Sequence, residues 1–122
     1  MKLHDIPIGD GYPCLVIPEG CDNHMGSLDR AKRMAQAAKK AGAKIIKWQL
    51  HLPEEEMVKD EAIKASKKML KKWGSIWHFV VKFQLSVDDH YKLKKFCENI
   101  GIQYFCTPFS LKAAQILNEM GV

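Results

Sequence analysis

Glu19, Lys47, Gln49 and Thr107 are the residues on which chemistry would rest, because each falls near the carboxyl end of a segment that reads as a β-strand. An acid, a cation, an amide and a hydroxyl would then converge on one rim. The strongest case is the run Ala43 to Gln49, too short for a helix and rich in residues that suit a sheet. Alternation puts Ala43, Ile45, Lys47 and Gln49 on one face and Lys44, Ile46, Trp48 and Leu50 on the other. Lys47 thus shares a face with core residues. A parallel strand flanked by helices is buried on both faces, so an ammonium there needs an anion, and ligands bind at the carboxyl ends of such strands. The bland alternative is a lysine that simply reaches the rim. The same parity groups Leu15, Ile17 and Glu19 on one strand, and Gln103, Phe105 and Thr107 on another.

The elements that must position these residues follow from the hydrophobic pattern. Lys2 to Ile8 and Pro13 to Glu19 read as a hairpin joined by Gly9-Asp10-Gly11. Ser27 caps a helix from Leu28 to Ala41 that stops at Gly42. Residues Leu52 to Phe83 read as a helical insertion, opened by Pro53-Glu54-Glu55-Glu56 and broken at Trp73-Gly74-Ser75. Ser86 to Asp89 has the form of a capping box, with Tyr91, Leu93, Phe96, Cys97 and Ile100 as the apolar side of the helix it starts. Ile102 to Thr107 is a third strand, and Ser110 caps a last helix with Leu111, Ala114 and Leu117 inward. This order predicts an α/β fold with parallel strands and helical crossovers.

A chain of 122 residues, 47% hydrophobic and 27% charged, suits one globular domain spanning residues 1–122. The net charge of +5 raises the question of nucleic acid. Its densest source, Lys59, Lys64, Lys67, Lys68, Lys71 and Lys72, reads as the solvated face of a helix that buries Ile63, Met69, Leu70 and Trp73. No aromatic residues alternate with these lysines as a single-strand binding groove requires, so no nucleic-acid partner is expected. No apolar run approaches the roughly 20 residues that span a bilayer, and Met1 to Pro7 has no secretory character, so a cytoplasmic protein without membrane contact is expected. Cys14, Cys21, Cys97 and Cys106 form no C-x-x-C pair, and three of them sit in apolar segments that suit small core residues in a reduced compartment.

Taken together, Ile8-Gly9-Asp10-Gly11, Glu19, Asn23-His24-Met25-Gly26, the run Ala38 to Gly42, Lys47-Trp48-Gln49, Gly101-Ile102 and Cys106-Thr107-Pro108-Phe109-Ser110 resemble the sialic acid synthase family. That family includes the synthases of N-acetylneuraminate, legionaminate and pseudaminate, and its pattern runs A-E-I-G-x-N-H-N-G, then K-F-Q, then S-T-P-F. The chain departs from it at Pro18 for Ala, Gly20-Cys21 for Ile-Gly, Met25 for Asn and Trp48 for Phe. A longer acidic loop, Leu50 to Met57, leaves the sugar open.

The resemblance implies the first part of a (β/α)8 barrel, here a hairpin and about three βα units. It implies a transferase in which C3 of phosphoenolpyruvate attacks the open-chain aldehyde of an N-acyl amino sugar, water adds at C2 and phosphate leaves. By position, Glu19 would lie beside the sugar and handle a proton, Lys47 would offset the charge of phosphoenolpyruvate, Gln49 would hydrogen-bond substrate and Thr107 would hold phosphate oxygens. Asn23 and Ser110 would shape the site, and His24 would fix a loop or act directly. The resemblance further implies a homodimer and a divalent ion, manganese or magnesium, acting as Lewis acid. Its ligands are histidines from the second half of the barrel, so none is expected among His4, His24, His51, His78 and His90. A barrel takes about 250 residues, so this length alone is expected to be inactive. Two other readings stand beside this one: an aldolase using Lys47 as a Schiff-base amine, and a non-catalytic module that keeps the fold.

Overall fold

A computed structural model describes residues 1–66 and 73–122. Two short strands, β1 (Lys2–Leu3) and β2 (Ile6–Pro7), precede helix α1 (Leu28–Lys40) and strand β3 (Ile45–Leu50). Three helices follow, α2 (Pro53–Glu56), α3 (Lys59–Ser66) and α4 (Ile76–Phe83), and then α5 (Val87–Asn99), β4 (Gln103–Pro108) and α6 (Leu111–Glu119). Strands β3 and β4 are parallel, in register from Ile45↔Gln103 to Leu50↔Pro108.

The hairpin lies elsewhere than expected. It is confined to β1 and β2, which pair antiparallel as Lys2↔Pro7 and Leu3↔Ile6. His4, at φ 50°, makes the reversal that Gly9-Asp10-Gly11 was expected to make. Pro13 to Glu19 does not return along the first strand. It docks parallel to β3 through the bridge Glu19↔Lys47, with Lys47 N–H donating to Pro18 O at 2.9 Å and Gly20 N–H to Lys47 O at 2.7 Å. Pro13 and Pro18 have no N–H, so this segment cannot build a full ladder and bonds to the sheet only at its end. The order across the sheet is therefore the Glu19 segment, β3, β4.

Three of the expected caps hold. Ser27, Ser86 and Ser110 accept from the backbone N–H of Arg30, Asp89 and Ala113 at 3.3, 3.1 and 3.1 Å. In the insertion, Gly74 turns the chain at φ 84° and Ser75 caps α4. The expectation for Lys67, Lys68, Lys71, Lys72, Met69 and Leu70 lies outside the described residues.

One face of the sheet carries the core. Ile46, Trp48 and Leu50 from β3 and Tyr104 and Cys106 from β4 pack against Ala31, Ala35 and Ala38 of α1, Leu93 and Cys97 of α5, and Ala113 and Leu117 of α6. Alanines along α1 let that helix approach closely. Leu93, Phe96, Cys97 and Ile100 of α5 and Leu117 of α6 face the core as expected, and the two helices depart from expectation near their first turns. Leu111 is exposed while Ala113 and Leu117 are buried, because the Ser110 cap leaves Leu111 at the outer edge of the first turn. On α5, Tyr91 is exposed and His90 is buried in its place, its Nδ1 2.7 Å from the Tyr104 hydroxyl. Of the cysteines, Cys97 and Cys106 are core residues, Cys21 is half-buried and Cys14 is exposed. Burial pushes the thiols of Cys97 and Cys106 up to about 12, so neither is a nucleophile.

Candidate functional site

The other face of the sheet is half-open. Parallel pairing places Lys47 beside Phe105 and Gln49 beside Thr107, and all four side chains are only partly buried, whereas Ile45 beneath them is sealed. On the far side of β3, the Glu19 carboxylate meets the Lys47 ammonium at 2.5 Å. Both groups therefore point to the same end of the sheet. Cys21 N–H donates to the other Glu19 oxygen at 3.2 Å. The hydrogen bond and the negative charge of Glu19 hold the Lys47 amine above its ordinary range, so it stays an ammonium. A Schiff-base lysine needs the opposite shift, and the arrangement argues against the aldolase reading.

Of the residues singled out from sequence, the structure brings together Glu19, Lys47, Gln49 and Thr107 at the carboxyl ends of three parallel segments. Asn23 and Ser110 are committed locally. Asn23 donates to Gly20 O at 3.1 Å and closes the loop after Glu19, and Ser110 caps α6. His24 is fully buried, with Nδ1 accepting from Gly26 N–H at 3.1 Å. Burial, assisted by His51 and Arg30, lowers its pKa to about 4, so it is a neutral ring that fixes the loop.

A second set of residues lines the same end and was not identified from sequence. His51 Nδ1 lies 3.0 and 3.1 Å from the two oxygens of Glu56, and its Nε2 lies 3.3 Å from Gln49 Oε1 and 3.5 Å from Asp22 Oδ2. The Cys21 thiol donates to the same Gln49 oxygen at 2.8 Å. Burial raises the Asp22 carboxyl above the usual carboxylate range, His51 draws it back and Glu56 raises it further. The available signal was parity: His51 is two residues past Gln49 and falls on the same side. Asp22 and Glu56 lie in a loop and a one-turn helix, where no periodicity marks them.

Among the described residues no group of three His, Cys, Asp or Glu side chains is placed to hold a metal ion. The ligands that the resemblance implies for a divalent ion are histidines from the second half of the barrel, so the roles argued for Glu19, Lys47, Gln49 and Thr107 use this chain's own groups alone. Among the described residues no helix is long and apolar enough to cross a membrane.

Three relatives bear on this geometry. The chain is 34% identical over 122 residues to an uncharacterized protein of Methanocaldococcus jannaschii, covering 100% of this chain and 32% of that one. It is 29% identical over 123 residues to the N,N'-diacetyllegionaminic acid synthase of Legionella pneumophila, covering 99% of this chain and 35% of that enzyme. The crystal structure of the N-acetylneuraminic acid (sialic acid) synthetase of Leptospira borgpetersenii, in complex with citrate, superposes with a TM-score of 0.81 at 29% identity, over 100% of this chain and 38% of that one. The α/β fold is thus the one found in that synthetase. The chain spans about a third of the length of the curated relatives it matches (32% and 35%). Residues 34–122 match the NeuB family, and with more than half of its length inside that match the chain belongs to the NeuB family.

Proposed function

We propose that this chain supplies part of the substrate pocket of a (β/α)-barrel synthase that condenses phosphoenolpyruvate with an N-acylated aldose. In that reaction C3 of phosphoenolpyruvate bonds to the aldehyde carbon of the open-chain sugar, water adds at C2, and inorganic phosphate leaves. One observation carries the reading: an ammonium, an amide and a hydroxyl share one half-open face at the carboxyl ends of adjacent parallel strands, with a carboxylate bonded to the ammonium. That end is where barrel enzymes assemble their sites.

Each residue then has a task suited to its chemistry. Lys47, kept protonated by Glu19, supplies positive charge to the carboxylate and phosphate of phosphoenolpyruvate. Glu19 is the anionic half of the pair and accepts a proton as water adds. Thr107, in register with Gln49, donates its hydroxyl to a phosphate oxygen, and Gln49 hydrogen-bonds the sugar.

The test is turnover by the full-length gene product, with phosphoenolpyruvate, a panel of N-acyl hexosamines and manganese, followed by phosphate release. Wild type should release phosphate with at least one sugar. Glu19→Gln, which keeps the shape but removes the base, should lower kcat by roughly 10²-fold or more. No phosphate release with any member of the panel would rule the reading out.

A further inference from the structure

His51 is 7% exposed at the top of β3, and its two ring nitrogens face different chemistry. Nδ1 points at both oxygens of Glu56, and a carboxylate accepts but does not donate, so Nδ1 carries a proton. Nε2 points at two further acceptors, Gln49 Oε1 at 3.3 Å and Asp22 Oδ2 at 3.5 Å. Phe109 stacks on the ring with centroids 4.2 Å apart. A 180° ring flip would put Cδ2 in place of Nδ1 and Cε1 in place of Nε2, forfeiting the bonds to Glu56 and Gln49, so the ring keeps this orientation.

The two protonation states of His51 therefore demand different orientations of Gln49. With Nε2 protonated, the imidazolium donates to Gln49 Oε1, which also accepts from the Cys21 thiol, and the amino end of the amide is left for a ligand. With Nε2 bare, its lone pair opposes an oxygen. The amide is relieved by turning over: its amino end donates to His51 and its carbonyl faces the ligand. We propose that His51 is a positioning residue for Gln49, its proton deciding whether the amide offers a donor or an acceptor to the N-acylated sugar. The inference rests on the proposal that Gln49 contacts that sugar.

The charged and titratable groups around the ring are Glu56 from α2, and Asp22 and Cys21 from the loop after Glu19. His24 stands behind Asp22 at 3.9 Å, and Phe109 from the β4–α6 connection is uncharged. Two carboxylates thus compete for one imidazole, and a proton on the Nε2 side is the event that changes Gln49.

The experiment measures KM for the best N-acyl hexosamine, KM for phosphoenolpyruvate, and kcat across the working pH range. It compares the full-length wild type with Gln49→Ala, His51→Asn and Glu56→Gln. In the wild type the sugar KM should follow one ionisation that the phosphoenolpyruvate KM does not share. His51→Asn should abolish that ionisation and Glu56→Gln should displace it, with the sugar KM changing by about tenfold, one hydrogen bond's worth, and kcat by less. If Gln49→Ala leaves the sugar KM unchanged, the assignment of Gln49 fails and takes this inference with it. If Gln49→Ala raises the sugar KM while His51→Asn and Glu56→Gln keep the wild-type pH profile, His51 alone is overturned. Histidine ¹⁵N NMR of the wild type covers variants that do not fold. Nδ1 should stay protonated while Nε2 titrates in step with the sugar KM, and an Nε2 proton that never leaves overturns the proposal.

Discussion

Met25 and Cys21 hold φ of 51° and 46°, in the left-handed region that L side chains enter at a cost of roughly 1–2 kcal/mol. They stand where the synthase pattern has Asn and Gly, the residues that tolerate this backbone best. Two of the departures from the pattern are thus local strain rather than a different chain path. Cys21 has a compensation in its thiol bond to Gln49, a bond that the Met25 thioether, with no proton to donate, cannot make. Met25→Asn should therefore raise stability by about 1 kcal/mol, read as a higher thermal midpoint. A lower midpoint would mean that packing of the Met25 side chain outweighs the backbone term. Glu19, Lys47, Gln49 and Thr107 were legible because strand parity is strict, and a polar residue on an apolar face stands out. His51, Asp22 and Glu56 were not, since loops carry no period and their meeting depends on three segments converging.

At the scale of elements, two other departures explain each other. A Cβ on Gly20 would lie 2.4 Å from the Trp48 ring, so the larger aromatic on β3 requires the smallest residue on the neighbouring segment. Gly20→Ala should cost roughly 1–3 kcal/mol in chemical denaturation, and Trp48→Phe in the same chain should recover part of it. Additive costs in the double variant would contradict this pairing. The Ser110 cap is a second element-scale case. Ser110→Ala should lower stability by about 1 kcal/mol through loss of the bond to Ala113 N–H. Substrate KM should move little, and a large rise would return Ser110 to the pocket. Caps and helix spans were readable because both ends of each helix carry local chemistry. The hairpin was misread because Gly-Asp-Gly is a strong turn signal and two prolines deny the next segment its ladder. Leu111 and Tyr91 were placed inward because apolar character alone does not decide which residues near a helix's first turn meet the core.

The whole molecule stores a pH dependence in its core. His24 and His90 are both fully buried, and burial is the main cause that lowers each to about 4. The unfolded chain binds their protons at about 6.5, so it holds more protons than the fold between about pH 6.5 and about pH 4. Stability contributed by these neutral rings is present above that window and is lost as pH falls through it. Urea midpoints should decline across this interval, and a flat profile would show that the rings are solvated. At the same scale, the open face of the sheet holds charge where the helix-covered face holds Trp48 and Leu50. The most direct measurement of the proposed site is the affinity of the full-length gene product for phosphoenolpyruvate by calorimetry, with Lys47 and with Met in its place. Loss of a charge-assisted hydrogen bond should weaken binding by roughly 10- to 100-fold in Lys47→Met. Equal affinity in the two proteins would contradict the placement of an anion at the end of β3.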